Sequence, residues 1–143
     1  MHVREAGHSS VPHPADLRVL AWAPTREECL AQAVQGMVDA FVDPASTVLA
    51  APARNLDTVI PALHDEELLR GLAEEVLHWL ETGGEVPVRA RVAAVPGGVR
   101  ARIRLVRLHT LRTTGPVPTA VADRGLSIGP TPDGWHCALT LAV

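Results

Sequence analysis

From Val88 to Leu105 apolar residues and arginines alternate over most of the stretch, and the pattern is interrupted once, at Pro96-Gly97-Gly98. A period of two belongs to a β-strand, because successive side chains leave opposite faces of the pleat. A Pro-Gly-Gly break between two such runs is the signature of a hairpin. Val88, Ala90, Val92, Val99, Ala101 and Ile103 then fall on one face, and Arg89, Arg91, Arg100, Arg102 and Arg104 on the other. A sheet with one apolar face must be covered, and that requirement governs the rest of the chain.

The cover is encoded upstream. Thr25 followed by Glu28 forms a capping box, and behind it Leu30, Ala33, Val34, Met37 and Phe41 recur at helical spacing until about Asp43-Pro44. A second helix runs from about Asp65 to Glu81, acidic in its first turn, with Leu69, Leu72, Ala73, Val76 and Leu80 on one face and Gly83-Gly84 ending it. Further strands are read at Leu17–Trp22, at Leu56-Thr58-Ile60 as an edge, in broken form between Val117 and Ile128, and at Trp135–Val143. Pro130 to Gly134 turns the chain into that last strand, where Trp135, Cys137, Leu139, Leu141 and Val143 share a face. The expected fold is α+β, two helices packed on one face of a mostly antiparallel sheet. At 143 residues, 47% of them hydrophobic, this makes one domain over 1–143, with residues 1–10 expected to be a poorly ordered N-terminus.

Composition excludes several function classes. A net charge of −3 offers no broad basic field, so tight autonomous RNA binding is not expected. No apolar run has the length of a signal or membrane-spanning segment, and a cytoplasmic protein is expected. All 13 basic residues are arginines, which rules out Schiff-base chemistry and lysine nucleotidylation. Cys29 and Cys137 form no Cys-x-x-Cys pattern and read as buried thiols; the serines at 9, 10, 46 and 127 sit in no nucleophile elbow. Neither Gly83-Gly84 nor Gly97-Gly98 has the context of a phosphate loop.

Three features remain as candidates. His13 and Asp16 lie in a Pro-rich corner feeding the first strand, where a carboxylate can present hard oxygen to Mg²⁺, Mn²⁺ or Ca²⁺; the simpler role for Asp16 is that of a turn residue. His2, His8 and His13 match no established ligand spacing, and His78 and His136 read as surface or partly buried groups. The arginine face either is solvated, its charges paired with acids elsewhere, or docks an acidic protein surface or an RNA backbone. The former asks less of the chain.

The stretch His13-Pro14-Ala15-Asp16, a short strand, and Thr25-Arg26-Glu27-Glu28 resembles the opening of the archease family. Ala33 to Pro44 is similar to that family's first helix with its trailing Val-Asp-Pro, and Glu67 to Glu81 to its second helix. Gly125-Leu126 and Asp133-Gly134-Trp135 resemble the approach to its last hairpin and the turn into its final strand. The resemblance spans nearly the whole chain in order.

It implies an accessory, chaperone-like protein, not an enzyme, that promotes guanylylation and multiple turnover of an RtcB-type RNA ligase in tRNA splicing or RNA repair. GTP and Mn²⁺ belong to the partner ligase. It also implies a divalent-metal (Ca²⁺, Mg²⁺ or Mn²⁺) site at Asp16, the terminal group of Val143 and an aspartate one residue earlier. Ala142 stands at that last position, so one carboxylate is missing and the site is weakened. Where the family shows Lys-Ala-Val-x-x-His-Gly-Leu, this chain has Thr119-Ala120-Val121-Ala122-Asp123-Arg124-Gly125-Leu126, in which Asp123 and Arg124 are candidates for a rebuilt charged site. The alternative is an archease-fold binding module that has lost ligase activation and metal binding. A metal-dependent hydrolase would rest on His13 and Asp16 alone, too few ligands for a working site.

Overall fold

The computed structural model describes residues 4–12, 16–48, 50–51 and 54–143. Its order is β1 (Gly7–Pro12), β2 (Asp16–Ala23), α1 (Arg26–Asp39), α2 (Pro44–Thr47), β3 (Arg54–Pro61), α3 (Asp65–Gly83), β4 (Glu85–Val95), β5 (Gly98–Arg107), β6 (Ala120–Val121), β7 (Ser127–Thr131) and β8 (Gly134–Ala142). The α+β expectation holds, with all strand pairs antiparallel, but the strands divide into two sheets. One has the order β1-β2-β8-β6, with β7 also on β8; the other is β3-β5-β4.

Thr25 caps α1 as its sequence requires, its hydroxyl accepting the Glu28 N–H at 3.2 Å. α1 stops at Asp39, and the Asp43-Pro44 expected to end it instead begins α2, with Asp43 accepting the Ala45 N–H at 3.0 Å. α1 is apolar over more than one stripe: Cys29, Ala33 and Gly36 are buried as well as Leu30, Val34 and Met37. The reason is that α1 packs on β1, β2 and β8 of the larger sheet and also on β4 of the smaller one. α3 closes on α1 and on strands of both sheets, burying Leu68, Leu69, Leu72, Ala73, Val76 and Trp79. One continuous core results, to which each fully buried leucine contributes about 1.5–3 kcal/mol.

A second, smaller cluster gathers Val38, Phe41, Val42, Val86, Val106 and Leu111. Val106 follows Arg104 on the outward face of β5, so this cluster covers the far end of that face. Pro87 has no N–H for the ladder, and the β4–β5 register shifts between Pro87 and Arg89. Val88, expected to share the inward face, packs instead against the smaller cluster.

The expectation of a poorly ordered N-terminus needs correction, since residues 7–10 belong to β1, which pairs with β2 from Gly7↔Trp22 to Pro12↔Leu17. Side chains fasten it. The Arg4 guanidinium lies 3.9 Å over the Trp22 ring. His8 places Nδ1 2.8 Å from Gln32 Oε1 and Nε2 2.7 Å from Asp39 Oδ2, both on α1. Two acceptors around one imidazole favour the doubly protonated ring, and the hydrogen bond to Asp39 is the main cause of a pKa raised above the ordinary 6.5. A raised folded pKa means that this strap stabilises fully below pH 6.5 and is lost as pH rises through the higher folded value. Urea midpoints of the wild type should therefore fall on going from acid to mildly alkaline pH by more than those of His8→Gln; parallel pH profiles would remove the strap.

Candidate functional site

β2 presents Leu17, Val19, Ala21 and Ala23 to the core, which turns Asp16, Arg18, Leu20 and Trp22 to the other face. The β2–β8 register sets Ala142 opposite Asp16 and Thr140 opposite Arg18. The segment after β6 then folds over this end of the sheet. Its backbone comes close because residue 125 is glycine: a Cβ there would lie 2.8 Å from Thr140 Oγ1 and 3.2 Å from an Arg18 terminal nitrogen. Gly125 also has φ of 81°, which a side chain disfavours. A pocket of about 410 Å³ results, walled by Asp16, Arg18, Ala122, Arg124, Thr140 and Ala142.

The structure thus brings Asp16, Ala142 and Arg124 together. Asp123 is placed elsewhere: its carboxylate is 3.9 Å from the Arg70 guanidinium of α3, and Arg70 also donates to the carbonyls of Ala122 and Asp123 at 3.4 and 3.5 Å. The Asp123 carboxylate is fully exposed, and Arg70 reaches the loop through the two backbone carbonyls. Val143 borders an adjoining cleft of about 240 Å³ that Asp16, Leu17 and Gly115 also line, so Asp16 stands between the two spaces. Thr119 fastens the end of β8, its backbone N–H donating to the Ala142 carbonyl at 2.8 Å. His13 and His2 lie outside the described residues. His8, as shown above, serves the β1 strap.

Two wall residues were not singled out from sequence, Arg18 and Thr140. A usable signal existed: Arg18 is two residues beyond Asp16 in one strand and must share its face. Thr140 alternates with the buried Leu139 and Leu141, but only the pairing register shows that it meets Arg18.

Divalent cations such as Mg²⁺ and Ca²⁺ take six or more hard oxygens, several of them anionic. The pocket's side chains supply one carboxylate and one hydroxyl against two guanidiniums. Among the described residues no three His, Cys, Asp or Glu side chains converge. These walls fit a divalent ion poorly and an anionic group better.

The remaining candidates fall outside this pocket. Cys29 and Cys137 are buried and adjacent, the Cys29 Sγ 3.7 Å from the Ala21 carbonyl and the Cys137 Sγ 3.9 Å from the carbonyl of Cys29. The neighbouring Cys29 thiol and burial push Cys137 strongly up, so it stays a protonated, inert thiol. The arginine face forms as read, on the outer side of β3-β5-β4, where Arg89 pairs with Arg104 and Arg91 with Arg102 across the ladder. No helix among the described residues is long and apolar enough to cross a membrane.

The model of the archease protein family matches residues 8–143. A probable archease of Mycobacterium tuberculosis is 43% identical over 138 residues, covering 96% of this chain and 75% of that protein. Two solved structures share the fold at 14% identity and a TM-score of 0.64. Protein 1598 of Methanobacterium thermoautotrophicum covers 96% of this chain and 99% of its own. An archease described as a possible chaperone, from Thermotoga maritima, covers 100% and 99%.

Proposed function

Since the chain belongs to the archease family, we propose that it is a cytoplasmic accessory protein of an RtcB-type RNA ligase, promoting guanylylation and repeated turnover of that enzyme in tRNA splicing or RNA repair. The observation that carries this reading is the family match over residues 8–143, with Asp16 of its opening motif held at a pocket by β8 and the 122–125 loop. A protein of this kind acts by contact. Its pocket would meet the ligase or the charged group being transferred, and GTP and Mn²⁺ stay with the ligase.

A second reading has its own support in Ala142 and in the two guanidiniums beside Asp16. Under it the fold is kept as a binding module, and ligase activation and the divalent-metal site have been lost.

One experiment separates them. Multiple-turnover ligation by the cognate ligase should rise on adding the purified protein, and Asp16→Ala should reduce that stimulation by about tenfold, equivalent to 1.4 kcal/mol, with thermal stability unchanged. No stimulation at any GTP or Mn²⁺ concentration would discard the ligase reading and leave the binding module. Affinity capture that then returned only the ligase would discard the second.

A further inference from the structure

On the outer side of β3-β5-β4 the cross-strand rows are Asn55–Arg104–Arg89, Asp57–Arg102–Arg91 and Val59–Arg100–Ala93. Five guanidiniums therefore face one carboxylate. Asp57 reaches two of them, 3.4 Å from Arg100 Nε and 3.6 Å from Arg102 Nε. Arg89, Arg91 and Arg104 have no ion-pair partner among the described residues, and none of residues 1–3, 13–15, 49, 52 and 53 is acidic. A solvated face neutralised by the chain's acids, the simpler expectation from sequence, is not what the fold builds. The acids lie elsewhere, on a protein of net charge −3.

The arrangement works against stability. Arg89 opposite Arg104 and Arg91 opposite Arg102 set like charges at directly paired positions, which is destabilising. A polyanion would relieve that repulsion. The spacing also suits one, since alternate residues on a strand are about 6.8 Å apart and neighbouring strands about 4.8 Å, giving a rigid grid of forks that match phosphate oxygens. A concavity of about 460 Å³ lies among Arg89, Arg91, Arg102 and Arg104.

The chemistry of the surface chooses between polyanions. Protein interfaces are anchored by buried aromatic or apolar side chains; here the exposed large apolar groups among the described residues lie only at the margins, Val59, 48% exposed, on the edge strand and Val48, 80% exposed, beside Arg89 and Arg104. Single-stranded nucleic acid is held by aromatic platforms that stack its bases, and the face has no aromatic residue. What remains is contact to the backbone without base readout. We propose that Arg89, Arg91, Arg100, Arg102 and Arg104 form a docking surface for the phosphate backbone of a base-paired nucleic acid. It is separate from the Asp16 pocket and does not depend on the ligase reading.

The test is fluorescence anisotropy with the full chain alone, using a labelled RNA duplex, a DNA duplex of the same sequence and polyglutamate, at salt between about 50 and 200 mM. Wild-type protein should bind duplex with a slope of log K against log salt of about −3 to −4. The variant R89Q/R91Q/R104Q should flatten that slope by about 2 to 3 units with a melting temperature no lower than that of the wild type, since it removes like-charge pairs, and Asp57→Asn should tighten binding several-fold. Both variants alter exposed side chains. Preference for RNA assigns the surface to A-form geometry, and equal binding to both duplexes assigns it to phosphate alone; either supports the proposal. Absence of duplex binding at the lowest salt, a slope unchanged by the triple variant, or an arginine-dependent preference for polyglutamate would overturn it.

Discussion

Phe41→Ala should lower folding stability by about 3–5 kcal/mol. Phe41 is the only phenylalanine in the chain and is 0% exposed. It lies just past α1, its N–H donating to the Val38 carbonyl at 3.1 Å and its own carbonyl accepting the Thr114 N–H at 2.9 Å. Those bonds fix the backbone, so the ring cannot be replaced by collapse of the chain around it. Truncation leaves a cavity among Val38, Val42, Val86, Val106 and Leu111. With domain stabilities typically of 5–15 kcal/mol, such a loss brings the protein near its unfolding threshold. Phe41→Leu, which keeps much of the volume, should cost about half as much. Urea denaturation of the three proteins is the check, and a cost below about 1 kcal/mol for the alanine variant would show that the small cluster contributes little.

The second large effect falls on the hairpin. Gly98→Ala should cost about 3 kcal/mol or more, because a Cβ at this position would sit on the Ile60 carbonyl oxygen, at 2.1 Å. That neighbour is backbone and cannot rotate away. Gly98 pairs with both Pro61 of β3 and Val95 of β4, so relief requires the edge strand to part from β5. Gly97 is the contrast: it has φ of 76° with open space around it, and Gly97→Ala should cost only the backbone strain, about 1–2 kcal/mol. Equal losses for the two variants would show that crowding at Ile60 is not the cause.

These two glycines show what a sequence can and cannot carry. Pro96-Gly97-Gly98 announces a turn, and either glycine could be the one in the left-handed region. That Gly98 is needed for room depends on a third strand, more than 30 residues upstream in sequence, passing close beside it.

The same division holds at the candidate site. The strand at β2, the cap at Thr25, the two long helices and the alternation of β8 were readable because each is written in the spacing of nearby residues. The family resemblance pointed to Asp16, Ala142 and Arg124, and the fold places all three at one pocket. Asp123, adjacent in sequence to Arg124, lies instead toward Arg70 and solvent, since a loop's side chains alternate under no fixed period. His8 was equally illegible; its meaning came from Gln32 and Asp39 on α1.

By itself, then, the sequence determined the two long helices, the strands β2, β4, β5 and β8 with most of their buried faces, the α+β class and the segregation of arginine on one side of a hairpin, but not β1 or α2. Periods of 2 and 3.6 are local properties, and burying the apolar face of each element is the largest favourable term in folding. Tertiary structure alone decided that the strands form two sheets with α1 between contacts to both, that Arg18 and Thr140 join the Asp16 pocket, and that the arginine rows keep a single acid. These depend on pairing between segments far apart in the chain. Such pairing is settled by the joint packing of the whole core and not by any stretch within it.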